Sequence, residues 1–379
     1  MTITLKGMTW DHPRGYDPLV ACSDLYCART GVEVQWEKRS LQDFESYPVE
    51  ELARAYDLIV IDHPHVGQVV GENCLAPLDV PERSEELDAL ADASVGPSFP
   101  SYAWQGRLWA LPVDAASQVQ AYRPDRVDGP ATDLDSVMDL AREGRVLLPL
   151  KAPHALMTFY SLAANMGVPC AAGDGFIARD DGISVYETLA QLVSYINPVN
   201  FDLDPIDALE RLARADSRES LSPYVFGYVN YAQDGFRDTP VRFADVPAVN
   251  GAGPRGAVIG GTGMAVSAYC QNRDAAIDFA FWITSAEVQA GPYAQAGGQP
   301  GHRKAWESEA VNAPVRGFFR DTLKTLDQSY LRPRFDGYMP FQDAASRRLS
   351  VALANGESAG AVIDALCALY DDFAKEHLS

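Results

Sequence analysis

The sequence predicts an α/β protein made of doubly wound lobes, and three observations carry this prediction. Strand-like and helix-like segments alternate from the first residues onward. The chain has 379 residues, 47% of them hydrophobic, which is enough for two lobes with separate cores. Polar residues follow the ends of two predicted strands, where ligands bind in sheets of this kind.

The N-terminal segments show this alternation most clearly. "TITLKGMTW" predicts a strand, and "DPLVACSDLYCARTG" predicts a helix that ends at Gly31. "VEVQWEKR" and "YDLIVID" predict two further strands. A strand, helix, strand order is typical of a doubly wound lobe.

The remaining segments continue the mixture of strands and helices. The predictions in chain order are two strands joined by a turn at Asp114 within 104–125, a strand, loop and helix in 144–167, a loop or short strand in 222–235, a glycine-interrupted pair of strands in 256–267, a helix with its exit in 272–295, and a mostly helical tail over 310–379.

The charge of the chain excludes some classes of partner. Lys and Arg number 31 against 52 Asp and Glu, which gives a formal net charge of -21. A surface this acidic repels nucleic acid and anionic lipid, and neither is therefore an expected partner.

Targeting signals and cysteines bear on the expected location. We find no secretory leader and no apolar run long enough for membrane insertion. The six cysteines are scattered, as in a reduced protein, so the expected location is the cytoplasm, or the periplasm or exterior if a leader was removed.

Several cofactor and catalytic motifs are excluded. "GAGPRG" has the spacing of a dinucleotide fingerprint, but it leads into a strand rather than a helix. The chain has no phosphate-binding loop motif, no H-E-x-x-H and no G-x-S-x-G. We therefore predict no cofactor.

Three segments carry a family resemblance: "WQGRLWALPVDAASQVQAYRPD", "GGTGMAVSAYCQNRDAAIDFAFWITSAEVQ" and "GGQPGHRKAWES". They resemble landmarks of the family 1 extracellular solute-binding proteins, the receptors of sugar-importing ABC transporters. The resemblance implies a type II periplasmic-binding-protein-like fold, with two α/β lobes, a hinge and a ligand cleft between the lobes. It also implies that lobe 1 comprises residues 1–112 and 257–302, and lobe 2 residues 113–256 and 303–379.

Histidines cluster in the turns that follow two of the predicted strands. His12 follows the first strand, and Asp62, His63 and His65 follow the third. Because histidine titrates near neutral pH, we predict that His12 or His65 acts as general acid or base and that Asp62 orients it. The alternative is that the histidines cap backbone groups. A metal site of His12, Asp62 and His65 is disfavoured, because a proline between two histidines is not a standard zinc spacing.

Nine further residues are predicted to bind the substrate. Arg14 and Arg303 are expected to anchor a carboxylate or oxyanion, while aromatic residues form walls. The alternative for the aromatic residues is packing in a core, especially since the tyrosines around position 228 recur at helical spacing. The nine residues are Trp10, Arg14, His63, Trp104, Asp114, Tyr224, Tyr228, Gly261 and Arg303.

Two functions follow from these patterns. The first is a cytoplasmic enzyme on a solute-binding scaffold that performs cofactor-independent acid–base chemistry, such as elimination, hydration, cyclisation or isomerisation, on a small polar molecule. The alternative is a carbohydrate receptor of an ABC importer, whose partner is then a permease. We predict the enzyme, because the expected leader is absent and the histidines cluster.

Overall fold

The structure is a computed structural model that describes residues 3–40, 47–251 and 253–375. The chain folds into two compact units and passes between them more than once. Unit 1 comprises Met1–Ala116, Gly260–Pro314 and Arg334–Asp336. Unit 2 comprises Ser117–Ile259, Val315–Pro333 and Gly337–Ser379.

The strands of the described residues are numbered in chain order. They are β1 Ile3–Trp10, β2 Val32–Arg39, β3 Leu58–Ile61, β4 Leu75–Ala76, β5 Ala103–Trp104, β6 Arg107–Leu108, β7 Leu111–Tyr122, β8 Leu221–Phe226, β9 Arg242–Ala244 and β10 Ile259–Ser267.

The α-helices of the described residues are numbered in the same way. They are α1 Pro13–Thr30, α2 Val49–Ala55, α3 Val66–Glu72, α4 Ser84–Ala93, α5 Ser98–Ser101, α6 Leu134–Arg142, α7 His154–Asn165, α8 Arg179–Tyr195, α9 Pro205–Leu212, α10 Arg273–Ile283, α11 Ala286–Val288, α12 Arg303–Trp306, α13 Glu309–Asn312, α14 Phe318–Asp327, α15 Tyr338–Asn355 and α16 Ala359–Lys375. Short 3₁₀ turns lie at His63–His65, Pro81–Arg83, Pro198–Asp202, Val229–Ala232 and Ala313–Val315, and a π-turn at Gln289–Tyr293.

Unit 1 contains a mixed sheet whose central strands are buried. The strand order is β2, β1, β3, β10, followed by the first part of β7. β1 pairs in parallel with β2 and β3, while β10 runs antiparallel to β3. All four residues of β3 are buried, as are Leu5 and Met8 of β1. β3 is apolar throughout because a strand covered on both faces leaves little room for polar side chains.

Helix α1 makes the crossover between the two parallel strands β1 and β2. It begins at Pro13, which suits the first helical position because the missing N–H has no partner there. It ends at Gly31, whose left-handed backbone has a φ of 77°. The predicted strand, helix, strand order and the predicted helix end are confirmed here.

Unit 2 is mostly helical around a small antiparallel sheet. The second part of β7 pairs with β8 on one side and with β9 on the other. An aromatic cluster fills part of its core. Phe176 stacks on Phe159 with ring centroids 6.1 Å apart and meets Phe341 and Tyr370 at 5.5 and 5.7 Å. These rings join α7, α15 and α16 into one core.

Three local predictions are wrong. Strand β7 runs through Asp114 without a turn, since the buried partner Arg14 removes the need to expose this carboxylate. Within 256–267, residues 259–267 form one strand, β10, rather than a pair, because Gly261 and Gly263 fit closely packed positions and do not break it. Residues 144–153 form no strand among the described elements, whereas the loop or short strand predicted in 222–235 agrees with strand β8.

The lobe boundaries implied by the resemblance stay a prediction, and the two compact units differ from them at four segments. Residues 113–116, 303–314 and 334–336 lie in unit 1, and residues 257–259 lie in unit 2. Arg334 donates hydrogen bonds to the carbonyl oxygens of Pro100, Ser101 and Ala103, which attaches residues 334–336 to unit 1. Trp306 donates to the carbonyl of Pro300 at 2.6 Å, which attaches residues 303–314.

Candidate functional site

The predicted site residues of unit 1 gather at one edge of its sheet. β1 and β3 are parallel neighbours, so Trp10 and Ile61 end at the same edge. β10 enters from this edge, with Gly263 opposite Ile61 and Gly261 two residues earlier. The turns that follow β1 and β3 therefore lie side by side, as the sequence predicted from the ends of parallel strands.

His12 caps the start of α1. Its Nδ1 accepts a hydrogen bond from the backbone N–H of Arg14 at 3.0 Å, and the side chain is buried. A nitrogen that accepts in this way carries no proton, so the cap holds the ring in its neutral form with the other nitrogen protonated. His302 caps α12 in the same manner by accepting from Lys304. The His12 side chain thus has the geometry of a backbone cap, the alternative to its predicted role as general acid or base.

His63 and His65 belong to the 3₁₀ turn that follows β3. Both side chains are buried, and Asp62, just before the turn, is half-buried. The His63 ring meets the edge of Tyr102 with centroids 6.4 Å apart. The Tyr102 hydroxyl lies 3.4 Å from the carbonyl oxygen of Ile61, the last residue of β3. The two histidines are therefore fixed in a packed turn rather than carried on an open loop.

Arg14 and Asp114 form a buried ion pair. The Arg14 Nε donates to Asp114 Oδ2 at 2.9 Å, and Nη2 donates to Oδ1. Burial raises the pKa of Asp114, and the neighbouring Arg14 opposes that rise. The two-point pairing neutralises both charges inside unit 1. Arg14 and Asp114 thus hold α1 against β7, and their predicted contact with a solute stays a prediction.

The predicted tryptophans occupy two different environments. Trp10 is buried and packs over Gly15, where a Cβ atom would overlap its indole ring. Trp104 is half-buried, and the Arg334 guanidinium lies over it, 5.5 Å from the ring centroid. Burial lowers the pKa of Arg334. The sequence analysis did not predict that Tyr102 and Arg334 lie at this edge of the sheet. No motif in the residues around either of them indicates this position.

Gly261 lies where β10 passes close to β7, and Arg303 lies in the short helix α12. Gly261 has a φ of 86°, and a Cβ atom there would lie 2.7 Å from the Cα of Ala115. Only glycine fits this approach of β10 to β7. Arg303 is half-buried in α12, with Nη1 3.7 Å from Glu307 Oε1.

Tyr224 and Tyr228 belong to unit 2 and are both buried. Tyr224 lies in β8, and burial raises the pKa of its hydroxyl well above the usual range. Tyr228 immediately precedes the turn Val229–Ala232. The structure thus groups ten of the twelve predicted site residues in unit 1 and these two in unit 2. Their roles in binding stay predictions.

Unit 2 contains a buried histidine that the sequence did not single out. His154 is the first residue of α7 and is 3% exposed. Burial, together with the positive charges of Lys151 and Arg332, lowers the pKa of His154 to about 3. Its ring meets Phe226 edge-on with centroids 6.3 Å apart. His154 is therefore neutral in the folded protein at physiological pH.

We expect stability to fall on acidification because of His154. In the unfolded chain a histidine has a pKa near 6.5, so below that pH the unfolded state binds a proton that the folded state excludes. The contribution of neutral His154 is complete above that value and is lost as the pH falls towards 3. At pH 5 the loss is about 2 kcal/mol. Urea unfolding at pH 7 and 5 should show a smaller pH loss for His154→Gln than for the wild type, and equal losses would contradict the shift.

The described residues include neither a metal-binding cluster nor a membrane-spanning helix. Within the described ranges, no group of three or more His, Cys, Asp or Glu side chains is arranged to hold a metal ion. None of the helices described here combines the length and apolar character that crossing a membrane requires.

The similarity to known proteins extends over most of the chain. A family model described as bacterial extracellular solute-binding protein matches residues 24–315. The chain belongs to this family. The predicted resemblance to solute-binding proteins is confirmed.

Solved structures of ABC transporter receptors share the fold along almost the whole chain. A solute-binding protein from Agrobacterium radiobacter K84 in complex with ribitol is 20% identical, with 98% of each chain covered and a TM-score of 0.81. Maltose-bound MalE3 of T. maritima is 14% identical, with 98% of this chain and 99% of that chain covered and a TM-score of 0.82. A protein from Agrobacterium vitis S4 with bound D-mannitol is 16% identical, with 99% and 100% covered and a TM-score of 0.78. The predicted α/β solute-binding-protein fold is confirmed.

These findings overturn the predicted enzyme. The matched family and the similar structures are solute receptors of transport systems, so the prediction of acid–base catalysis of a lyase or isomerase type is wrong. The geometry gives a physical reason for the error at His12, because its Nδ1 is engaged in capping α1. The clustering of histidines beyond the strands reflects turn and cap positions in this solute-binding fold.

Proposed function

We propose that this chain is the solute receptor of an ABC importer and that it binds a sugar or a polyol. The observation that carries the proposal is the full-length similarity to receptors in complex with ribitol, maltose and D-mannitol. The family match over residues 24–315 supports the same function. Because proteins of similar fold bind ribitol and D-mannitol, the expected ligands include linear polyols as well as ring-form sugars.

The edge of the unit 1 sheet has residue types that suit such a solute. Trp104 is half-buried and offers an aromatic face, which suits the apolar face of a sugar ring. Asp62, also half-buried, supplies carboxylate oxygens that accept hydrogen bonds from hydroxyl groups. A few polar groups among aromatic walls are typical of small-molecule sites.

The proposal includes a partner and a location. An importer receptor delivers its solute to a membrane permease, so a permease is the expected protein partner. Delivery from outside the membrane places the receptor in the periplasm or exterior, the second of the two locations predicted from sequence. Fractionation of cells that express the native gene should recover the protein with extracytoplasmic markers, and recovery with cytoplasmic markers only would contradict this location.

A thermal-shift screen tests the proposed ligand class. The panel contains ribitol, D-mannitol, D-glucose, maltose and maltotriose, each at millimolar concentration, with amino acids as the control class. A ligand at about 100 times its Kd stabilises the folded state by about 2.7 kcal/mol, so a cognate sugar or polyol should raise the Tm by a few degrees. Calorimetric titration of each hit should give one site per chain. Stabilisation by amino acids alone would contradict the proposal.

A further inference from the structure

Among the described residues, three arginine side chains are deeply buried, and two of these pair with an acid. Arg14 pairs with Asp114 in unit 1, as described above. In unit 2, Arg123 is 1% exposed and donates to both oxygens of Asp125 at 2.8 Å. Arg123 also donates to the carbonyl oxygens of Leu212 and Arg214 at 2.9 and 2.7 Å. Both guanidinium groups therefore have their charge balanced where they are buried.

Arg332 in unit 2 is the exception. It is 6% exposed, and within 3–40, 47–251 and 253–375 it forms no ion pair with an acidic side chain. Its Nη1 donates to Gln342 Oε1 at 2.9 Å, but its buried Nε has no acceptor among those residues. A buried charge without a counter-ion costs several kcal/mol. The chain has 52 acidic residues, yet none in the described part of it pairs with Arg332.

The surroundings of Arg332 are positive as well. Both charges that act on His154, those of Arg332 and Lys151, shift its pKa downward, and no acidic group acts on it in the other direction. Lys151 is half-exposed and forms a loose ion pair with Asp204, whose Oδ2 lies 3.9 Å from Nζ, too far for a hydrogen bond. His154 also begins the 12-residue helix α7, whose N-terminus carries a partial positive charge.

Unpartnered polar atoms lie in the same region. The Nδ1 of His154 is buried and has no hydrogen-bond partner in the described part of the chain. The hydroxyl of Ser346 is likewise buried and unpartnered, and it lies one turn after Gln342 in α15. Buried polar atoms are seldom left without partners, so these two atoms and the Nε of Arg332 are groups that a ligand in this region would satisfy.

We propose that the Arg332 cluster, defined as Lys151, His154, Arg332 and Ser346, binds an anionic group of the transported solute, a carboxylate or a phosphate. This inference rests on the proposed function and narrows its ligand class to acidic sugars and acidic polyols. An anion balances the charge of Arg332 and accepts from its Nε, and a planar carboxylate fits the donor geometry of a guanidinium. A neutral hydroxyl group leaves that charge unbalanced.

Matched pairs of solutes test the anionic preference. D-gluconate is compared with D-glucitol, D-glucuronate with D-glucose, and glucose 6-phosphate with the same glucose control. We expect at least one acid to bind about 10-fold or more tightly than its neutral counterpart, as a charged hydrogen bond supplies. The carboxylate and phosphate arms distinguish the two sources of negative charge. Equal affinities within every pair would overturn the inference while leaving the proposed function intact.

Arg332→Gln tests the residue itself by calorimetric titration. This variant removes the charge and keeps a hydrogen-bonding amide, so affinity for the acidic solute should fall about 10- to 100-fold. Affinity for the neutral counterpart should change less than threefold. A loss of affinity that is equal for acidic and neutral solutes would contradict charge recognition.

The stability of the ligand-free protein gives a readout that needs no solute. Removing an unbalanced buried charge should leave the Tm of Arg332→Gln equal to or above that of the wild type. Arg123→Gln is the matched control and should lower the Tm, because Arg123 is paired with an acid and two carbonyls. If Arg332→Gln destabilises as much as Arg123→Gln, the guanidinium is structural and the inference fails.

Inorganic phosphate and citrate separate the anion site from the proposed function. If either anion raises the Tm of the wild type but not of Arg332→Gln, while no sugar or polyol binds, the anion site stands and the proposed function fails.

Discussion

Replacing Asp114 by asparagine is expected to lower the free energy of unfolding by about 3–5 kcal/mol. The side chain keeps its shape, but the Arg14 guanidinium then remains buried beside a neutral amide. The pair joins the first turn of α1 to strand β7 across 100 residues of sequence, so its loss affects long-range packing in unit 1. Urea unfolding at pH 7 measures the change.

Two controls separate charge balance from packing in this ion pair. The exposed pair of Lys38 and Asp11 supplies the first, since Asp11→Asn should leave the free energy of unfolding nearly unchanged. The double variant Arg14→Met with Asp114→Leu is the second, and it should be more stable than Asp114→Asn, because two apolar side chains leave no charge buried. If Asp114→Asn is as stable as the wild type, the buried pair does not hold unit 1 together.

Replacing Gly67 by alanine is expected to destabilise the protein by about 3 kcal/mol or more. Gly67 lies in helix α3, and a Cβ atom there would overlap the carbonyl oxygen of Arg334 and lie 2.6 Å from the carbonyl carbon of Phe335. The obstacle is backbone, which cannot rotate away as the end of a side chain can. Relief requires moving α3 away from the segment that carries Arg334. Chemical denaturation monitored by circular dichroism should show the loss.

Gly71 provides a control in the same helix. A Cβ atom at Gly71 would come no closer than 3.6 Å to Asp336 Oδ2, so there is room for it. Alanine favours helix over glycine by up to about 1 kcal/mol, so Gly71→Ala should be neutral or stabilising. Equal effects of the two substitutions would show that close packing at Gly67 is not the cause.

The local features of the fold could be predicted from the sequence because short-range patterns determine them. Strand β2 was predicted with the bounds that the structure has, and the end of α1 at Gly31 followed from glycine's freedom to adopt a positive φ. The gathering of His12 and Asp62 at one edge followed from the parallel order of β1 and β3. Each of these features depends on neighbours along the chain or on one topological rule.

Features that depend on distant partners could not be predicted in this way. A polar residue within an apolar run predicts a turn unless a buried partner for it is known. The partner of Asp114 is Arg14, 100 residues away in the sequence. Arg332 and His154 are 178 positions apart, and no local pattern associates them. The histidines were assigned to catalysis because their residue type suits it, whereas the cap at His12 depends on one backbone hydrogen bond.

The fate of a bound solute tests the central claim, that this chain is a receptor, most directly. The best ligand of the solute screen is incubated with an equimolar amount of protein, and its one-dimensional NMR spectrum is recorded before incubation and after release by denaturation. The receptor account predicts saturable binding of one solute per chain and recovery of the solute chemically unchanged after prolonged incubation. Recovery of a different compound, formed with the wild type and not with protein denatured beforehand, would contradict it.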